Sequence, residues 1–445
     1  MKKFLGTLLW ICCCSVALFA EGNMLEKLKQ IPQVSDIQEL KVDSFEEYYQ
    51  FWFEQPVDHN DPSKGTFKQK VLLGHKKQDA PVVAELEGYN IWTQQAGELT
   101  KLFNANQLTV EHRFFDESVP AGGIPWEYLT IRQAATDHHE IIQAVKTHLY
   151  PRSKWISTGI SKGGQTTIFH RYFYPEDVDV SVPYVAPLNL EYIDPRLESF
   201  LEKLGANRLS LTDVMTGGST QRDCRWSIRD FQNLCFKNLD KLTPMLEEFA
   251  QDNGYTYQRV GGVERALKLI ILEYPFAFWQ WGNSCDEIPE PDTQDMNLVF
   301  DYLIRISTPD FFEDKYIVKM QPFFYAALTE IGMYAYNPKP FKKYFKGEKV
   351  IDFSFTMPDG VEKKPFNAKQ MQAINKWLQT DAKNILLIYG GKDPWYATAV
   401  DPKGNWNCRR YVAGDLDHKC RIKDFDPVSK EDLIETLKGW LKVKK

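Results

Sequence analysis

The chain of 445 residues is 43% hydrophobic and 26% charged, a composition typical of a folded globular protein. Its length predicts one large domain with an insertion, or two domains, and is sufficient for a sizeable core without metals or disulfides. A formal net charge of −6 and the lack of any long basic run argue against nucleic acid as a partner.

The chain begins with the layout of a secretory signal peptide over residues 1–20. Two lysines precede an apolar run that ends at the small residue Ala20, just before Glu21. We expect cleavage after Ala20 and export of the remainder, to the periplasm or to the medium. The alternative is an uncleaved anchor, because the apolar run comes close to the length that spans a bilayer. No second run is that long, so no stable membrane span is expected after cleavage.

Five cysteines remain after the predicted signal peptide, and export permits them to form disulfides: Cys224, Cys235, Cys285, Cys408 and Cys420. An odd number leaves at least one thiol free. We expect a bridge between Cys408 and Cys420, because it would close a loop that carries His418. A bridge between Cys224 and Cys235 is the weaker alternative, since both lie on one predicted helix. The spacing matches no zinc-binding pattern, so no metal site is predicted.

Alternating strand and helix signals indicate an α/β core in the first part of the chain. Strand-like runs lie at 66–73, 81–88, 107–114, 153–158 and 178–188, and helical periodicity lies at 129–150 and after residue 164. This βαβ alternation predicts a mostly parallel sheet with helices on both faces.

The pattern changes after residue 195 and returns near residue 365. Mainly helical signals fill the interval, and they are followed by a helix, a strand at 384–390 and a closing helix at 431–442. We therefore predict a catalytic core of 21–190 and 346–445, interrupted by a helical cap domain at 191–345.

The segment TGISKGG places Ser161 between glycines, after a predicted strand and before a predicted helix. In a G-x-S-x-G turn of this kind, the serine Oγ stands clear of the backbone and acts as a nucleophile. The N–H of the next residue, Lys162, would face the substrate oxygen as one oxyanion-hole donor, helped by the positive end of the helix.

A nucleophilic serine needs a base, and on this architecture the chain order is serine, acid, histidine. Two histidines follow Ser161, and His170 is excluded because it lies nine residues along the same helix, about 13 Å away. His418 is therefore predicted as the base. Asp393 is predicted as the acid because it directly follows the strand at 384–390, unlike its competitors Asp401, Asp415 and Asp417.

Each of these features has a plain structural alternative. The glycines can be required by tight packing, Asp393 can simply form a turn before proline, and His418 can be a surface residue. Their joint occurrence in the required order favours catalysis. A second polar cluster, the D-H-H-E run at 137–140, looks like a set of metal ligands. Neighbouring helical side chains point about 100° apart and converge poorly on one ion, so a solvated helix face is predicted there.

Several longer segments resemble one family of exported serine peptidases: FEQPVDHNDPSKGTFKQKV (53–71), VEHRFFDESVP (110–120), LTIRQAATDHH (129–139), TGISKGG (158–164) and EYPFAFWQWG (273–282). They are similar to the tripeptidyl aminopeptidase family first known from mycelium-associated enzymes, with lysosomal prolyl carboxypeptidase and dipeptidyl peptidase as wider relatives. The resemblance implies an α/β-hydrolase fold with a helical cap and a Ser161-Asp393-His418 triad. It also implies release of short peptides from a free N-terminus, often after proline, without a metal or organic cofactor.

The resemblance also points to substrate-binding residues. Relatives carry a stretch like Glu-Gly-Asp where this chain has Glu87-Gly88-Tyr89, so the N–H of Tyr89 is the candidate second oxyanion donor. An aminopeptidase must hold a protonated α-amine, which requires a carboxylate. Glu87 and Glu330, the latter in a segment similar to Thr-Glu-Phe-Gly, are the candidates. The alternatives are a solvated Glu87 and a Glu330 paired with a nearby base.

Aromatic side chains in the YPFAFWQW run are candidates for the wall of a proline-sized pocket: Phe276, Phe278, Trp279 and Trp281. The alternative is that they belong to the core, which is the commoner place for aromatic runs. The functional hypothesis is an exported serine exopeptidase that releases tri- or dipeptides from peptide N-termini through an acyl-enzyme, with peptides as its partners. A secreted esterase or lipase, and a non-catalytic binding protein on a hydrolase scaffold, are the alternatives.

Overall fold

A computed structural model describes residues 23–206 and 223–442. The predicted signal peptide lies outside these residues. Within them, no helix combines the length and the apolar character needed to cross a membrane.

The described residues contain one sheet of nine strands. In chain order the strands are β1 (Val34–Leu40), β2 (Glu47–Pro56), β3 (Thr66–His75), β4 (Val82–Leu86), β5 (Asn106–Val110), β6 (Trp155–Ile160), β7 (Val180–Tyr184), β8 (Ile385–Gly390) and β9 (Cys408–Ala413). Across the sheet the order is β1-β2-β3-β5-β4-β6-β7-β8-β9. The pairs β1-β2, β2-β3 and β3-β5 are antiparallel. The remaining pairs, β5-β4, β4-β6, β6-β7, β7-β8 and β8-β9, are parallel.

The α-helices of the described residues are α1 (Met24–Leu28), α2 (Glu98–Phe103), α3 (Ile131–His148), α4 (Lys162–Phe173), α5 (Pro195–Leu201), α6 (Cys224–Lys237), α7 (Leu239–Asn253), α8 (Val263–Gln280), α9 (Met296–Ile306), α10 (Asp314–Ala326), α11 (Lys369–Thr380) and α12 (Pro427–Leu441). A π-helical turn, Ala327–Ile331, continues α10. Short 3-10 turns lie at Pro62–Lys64, Trp126–Tyr128, Cys285–Glu287, Pro309–Phe312, Lys339–Tyr344, Ser354–Thr356, Pro394–Thr398 and Ile422–Asp424.

Alternate side chains of the central strands enter two different cores, as expected for a sheet covered on both faces. Ala84 of β4 lies in a core with Ile142 of α3. Its neighbour Val83 lies in the core that contains Leu437 of α12. The strand order, the crossover helices and the serine turn after β6 make this an α/β-hydrolase fold, which confirms the predicted fold class.

The helices α5 to α10 lie between β7 and β8, in the interval where the sequence predicts a cap. They share one hydrophobic core, and α8 is buried along most of its length. The boundaries 191–345 stay a prediction. Sequence reasoning did not predict β1 or β2, because adjacent aromatic residues of β2, Tyr48 and Tyr49, are both buried and weaken the alternation expected of a strand.

The predicted disulfide between Cys408 and Cys420 is wrong. The structure joins Cys224, at the start of α6, to Cys285, with Cα atoms 5.6 Å apart. Cys408 and Cys420 are buried free thiols, as is Cys235. The physical reason is that Cys408 packs in the core with the inserted helices, whereas Cys420 packs in the core with α12.

The predicted solvated face at 137–140 is also wrong for its first two residues, because Asp137 and His138 of α3 are fully buried. Asp137 accepts two hydrogen bonds from the guanidinium of Arg113, at 2.6 and 2.7 Å. Its Oδ1 also lies 2.7 Å from Nε2 of His59. Arg113 also donates to three backbone carbonyls, those of Pro56, Val57 and Tyr128, so this buried ion pair connects α3 to the segments around the end of β2 and after β5.

Candidate active site

Ser161 occupies the turn between β6 and α4 with φ 58° and ψ −119°, a strained conformation for a residue with a side chain. Its hydroxyl makes no capping bond to the helix. The flanking glycines are required by packing, since a Cβ on Gly159 would lie 2.3 Å from the carbonyl oxygen of Gly163. Close packing of the glycines and a half-buried serine at the turn are therefore parts of one arrangement.

Asp393 and His418 are brought together at the carboxyl edge of the sheet, after β8 and β9. Asp393 is fully buried, and its Oδ2 lies 2.6 Å from Nδ1 of His418. The Oδ1 atom of Asp393 accepts the N–H of Trp395 at 3.0 Å, which fixes the carboxylate. The backbone N–H of His418 donates to the carbonyl of Gln280 at 3.2 Å, so the last turn of α8 contacts the loop after β9 that carries His418.

Ser161 and His418 lie on the wall of one cavity of about 640 Å³. That volume is in the range of small-molecule and peptide sites. Within the described residues the Asp393–His418 bond is formed, whereas no hydrogen bond joins Ser161 Oγ to the imidazole. The same residues contain no group of three or more His, Cys, Asp or Glu side chains placed to hold a metal ion.

The two predicted oxyanion donors flank the serine. Lys162 is the first residue of α4, where backbone N–H groups have no helical acceptor. Tyr89 follows β4 and lies on the cavity wall. Gly88 packs directly on the serine turn, since a Cβ there would lie 2.6 Å from the nitrogen of Gly163. The side chain of Lys162 is buried, its Nζ donates to the carbonyl of Gly88 at 2.6 Å, and burial lowers its pKa to about 7.

The two predicted amine-binding acids have different surroundings. Glu87 lies on the cavity wall, and burial, with the charges of Glu85 and Glu111, raises its pKa to about 8. Glu330 is not on that wall: its Oε2 accepts the N–H of Ile131, the first residue of α3, at 2.8 Å. Burial raises its pKa to about 7. Glu330 therefore caps the start of α3 and does not line the cavity. Among residues 23–206 and 223–442 it forms no ion pair with a lysine or arginine.

The structure adds an acid that sequence reasoning missed, Glu273 of α8. It is 7% exposed, and its Oε2 accepts hydrogen bonds from the hydroxyls of Tyr334 at 2.9 Å and Tyr336 at 2.7 Å. The available signal was a single glutamate within the apolar run LKLIILEYPFAFW. A charge at such a position is costly unless it serves a partner or a site.

The structure places two of the four candidate pocket aromatics on the cavity wall and two in the core. Trp281 lies on the cavity wall, 47% exposed, with its ring edge-on to His418 at 5.9 Å. Phe276 also lines the cavity, and it stacks on Tyr334 at 4.0 Å. Phe278 and Trp279 do not line it and belong to the core of the inserted helices. Phe276 and Phe278, two positions apart, point to nearly opposite sides of α8, and Trp281 follows the end of the helix. Residues of one aromatic run therefore lie both on the cavity wall and in the core.

Fold and cavity together define the chain as an α/β-hydrolase, with the serine turn at the carboxyl edge of the parallel strands. The model of the PS-10 peptidase S37 family matches residues 21–443. The chain therefore belongs to this family and is a serine-type peptidase.

Two relatives extend this result. Over 378 residues the chain is 29% identical to the prolyl tri/tetrapeptidyl aminopeptidase of Streptomyces mobaraensis, covering 84% of this chain and 75% of that protein. Over 187 residues it is 28% identical to the thymus-specific serine protease of Mus musculus, covering 39% of this chain and 36% of that protein. A solved structure, the proline iminopeptidase of Mycobacterium smegmatis, aligns with a TM-score of 0.42 and 10% identity over 88% of this chain and 100% of that one.

Proposed function

We propose that the protein is an exported serine exopeptidase that removes tri- or dipeptides from the free N-terminus of peptides, with a preference for proline before the cleaved bond. The observation that carries the proposal is the 2.6 Å bond between Asp393 and His418 on a cavity that Ser161 shares. The similarity to a prolyl tri/tetrapeptidyl aminopeptidase supports the substrate class.

The proposed reaction begins when Nε2 of His418 takes the proton of Ser161 Oγ as the oxygen attacks the substrate carbonyl. Asp393 holds the imidazole by Nδ1 and stabilises its charged form. The oxyanion of the tetrahedral intermediate accepts hydrogen bonds from the backbone N–H groups of Lys162 and Tyr89. His418 then gives its proton to the leaving amine, the C–N bond breaks, and an acyl-enzyme remains. Water, activated by His418, hydrolyses the ester and frees the serine.

The cavity wall supports an exopeptidase because of its acids. Four glutamates lie on the wall: Glu85, Glu87, Glu98 and Glu273. A protonated α-amine that leaves water needs such a carboxylate, whereas a simple ester has no group for it to bind. The apolar part of the wall, with Phe276 and Trp281, offers contact to a proline ring.

The test compares two chromogenic substrates that differ in one group, alanyl-alanyl-prolyl p-nitroanilide with and without an acetyl group on its α-amine. We expect wild-type protein to hydrolyse the free-amine substrate, and acetylation to lower kcat/KM by at least about 100-fold, because the charged amine is lost. Ser161→Ala is the inactive control. Equal rates on both substrates, with rapid cleavage of p-nitrophenyl butyrate, would identify an esterase instead.

A fluorophosphonate probe tests the nucleophile independently of the substrate. We expect labelling of wild-type protein and none of Ser161→Ala. Equal labelling of the two, or no labelling of wild type, would favour a non-catalytic binding protein. Mass spectrometry of the products from one proline-containing decapeptide then gives the number of residues released.

Export rests on the layout of residues 1–20. The test is N-terminal sequencing of the mature protein from a culture that expresses the full chain. We expect the mature chain to begin at Glu21. A protein that keeps its first residues and stays with the cell membrane would support an anchor.

A further inference from the structure

Glu273 lies in the middle of α8, on the helix face that borders the cavity. The same face carries Phe276, Ala277 and Gln280, at helical spacings of three, four and seven residues from Glu273, and all of them line the cavity. The acid is therefore part of the cavity wall although most of the helix is packed in the core.

One oxygen of Glu273 is left without a partner. Both tyrosine hydroxyls donate to Oε2. Within the described residues Oε1 accepts no hydrogen bond, and no Lys, Arg or His nitrogen forms an ion pair with the carboxylate. A buried carboxylate with a free oxygen and no cation is costly in a protein made only for stability, and a bound cation would supply the missing charge.

We infer that Glu273 is the carboxylate that binds the substrate's α-amine. This inference rests on the proposed exopeptidase function. The amine would occupy the free side of the carboxylate while Tyr334 and Tyr336 hold the other oxygen. The second and third side chains of the substrate would pass along Phe276 and Ala277.

Glu87 is the competing acid, because it lies on the same cavity wall. It precedes Gly88, which packs directly against Lys162 and Gly163 of the serine turn. Replacing each acid in turn by glutamine therefore shows which of the two binds the amine.

The experiment measures kcat/KM of the mature wild type, Glu273→Gln, Glu87→Gln and Glu264→Gln on prolyl p-nitroanilides with zero to three alanines before the proline. Glutamine keeps the size of the side chain and an oxygen for both tyrosines, and removes the charge. Glu264 is the matched control, because it lies on the same helix with a side chain 64% exposed. We expect Glu273→Gln to lose about 100-fold on the substrate with two alanines.

The acetylated form of the same substrate shows whether the loss concerns the amine. Its hydrolysis by Glu273→Gln should stay within about threefold of wild type, because it has no charge for Glu273 to bind. Glu273→Asp keeps the charge and should retain more of the preference for a free amine than Glu273→Gln. Equal losses on the free and acetylated substrates, or a wild-type preference that survives in Glu273→Gln and disappears in Glu87→Gln, would overturn the inference.

The failure of this inference can be told from the failure of the proposed function. If wild-type protein shows no preference for a free amine, the exopeptidase itself is refuted. If the wild type has the preference and Glu273→Gln keeps it, only the role of Glu273 is refuted. A change in the thermal midpoint of Glu273→Gln, compared with Glu264→Gln, shows any loss of fold.

Discussion

Nζ of Lys162 lies 2.6 Å from the carbonyl oxygen of Gly88, so the residue after the serine holds the peptide unit that carries the N–H of Tyr89. That peptide is trans, because the described residues contain no cis bond, and its N–H points away from its carbonyl. Lys162 therefore orients the second proposed oxyanion donor with its side chain, while its backbone N–H is the first.

Replacing Lys162 by methionine should lower kcat by roughly 10- to 100-fold while KM changes little. The expected loss is smaller than for deletion of a full oxyanion donor, because the Tyr89 N–H is displaced and not removed. Steady-state kinetics on the free-amine tripeptide substrate measure both constants. Lys162→Arg, which keeps a donor, is the comparison, and it should retain more of kcat than Lys162→Met. A variant that loses affinity and keeps kcat would show that the side chain only shapes the cavity.

Ser161→Ala and His418→Ala should each lower kcat by a factor on the order of 10⁴, with an unchanged thermal midpoint. The reason is that the nucleophile and its base act as one unit, so either loss removes the same covalent path. Asp393→Asn should cost a similar factor, because an amide favours the wrong tautomer of His418. Pre-steady-state kinetics should show no burst in any of the three. A variant of His418 that keeps more than a tenth of the activity would contradict the assignment.

The α/β-hydrolase fold and the Asp393–His418 pair were predictable from the sequence because each depends on a local pattern and on chain order. A glycine-rich turn between a strand and a helix, an acid after one late strand and a histidine after the next define positions at one edge of a parallel sheet.

Other features depend on which face of an element a residue occupies, and the sequence leaves this open. Cys408 and Cys420 are close in sequence but lie in cores on opposite sides of the sheet. Trp281 faces the cavity and Phe278, three positions earlier, does not. Glu273 was missed because its environment is formed by Tyr334 and Tyr336, more than sixty residues later in the chain.

Replacing Cys224 and Cys285 together by serine should lower the free energy of unfolding by about 4 kcal/mol. In the chain-entropy account, a bridge over 61 residues restricts the unfolded chain by that amount. Urea unfolding with intact disulfides measures the change, and Cys408→Ser plus Cys420→Ser is the matched control, with no bridge to lose. Peptide mapping without reductant should recover the linked pair. A linked 408–420 peptide would restore the prediction made from the sequence.

Burial raises the pKa of Glu273 to about 7, and this has a consequence for stability. Because the unfolded chain has the ordinary, lower value, the folded protein binds the proton more tightly. Stability should therefore fall as the pH rises from about 4.5 to 7, by up to roughly 3 kcal/mol for this one group, and level off above that range. Glu273→Gln lacks this titration.

The difference in unfolding free energy between wild type and Glu273→Gln should therefore change with pH, in favour of the variant at pH 8 relative to pH 4.5. Urea unfolding at several pH values measures it. Glu85 and Glu87, whose pKa values are raised by burial to about 7 and about 8, titrate in both proteins, so their contributions cancel in the difference. The corresponding difference for Glu264→Gln should not shift in favour of the variant as the pH rises, because the carboxylate of Glu264 is exposed. A difference that stays constant from pH 4.5 to 8 would mean that Glu273 is ionised in the folded protein throughout, with a cation beside it.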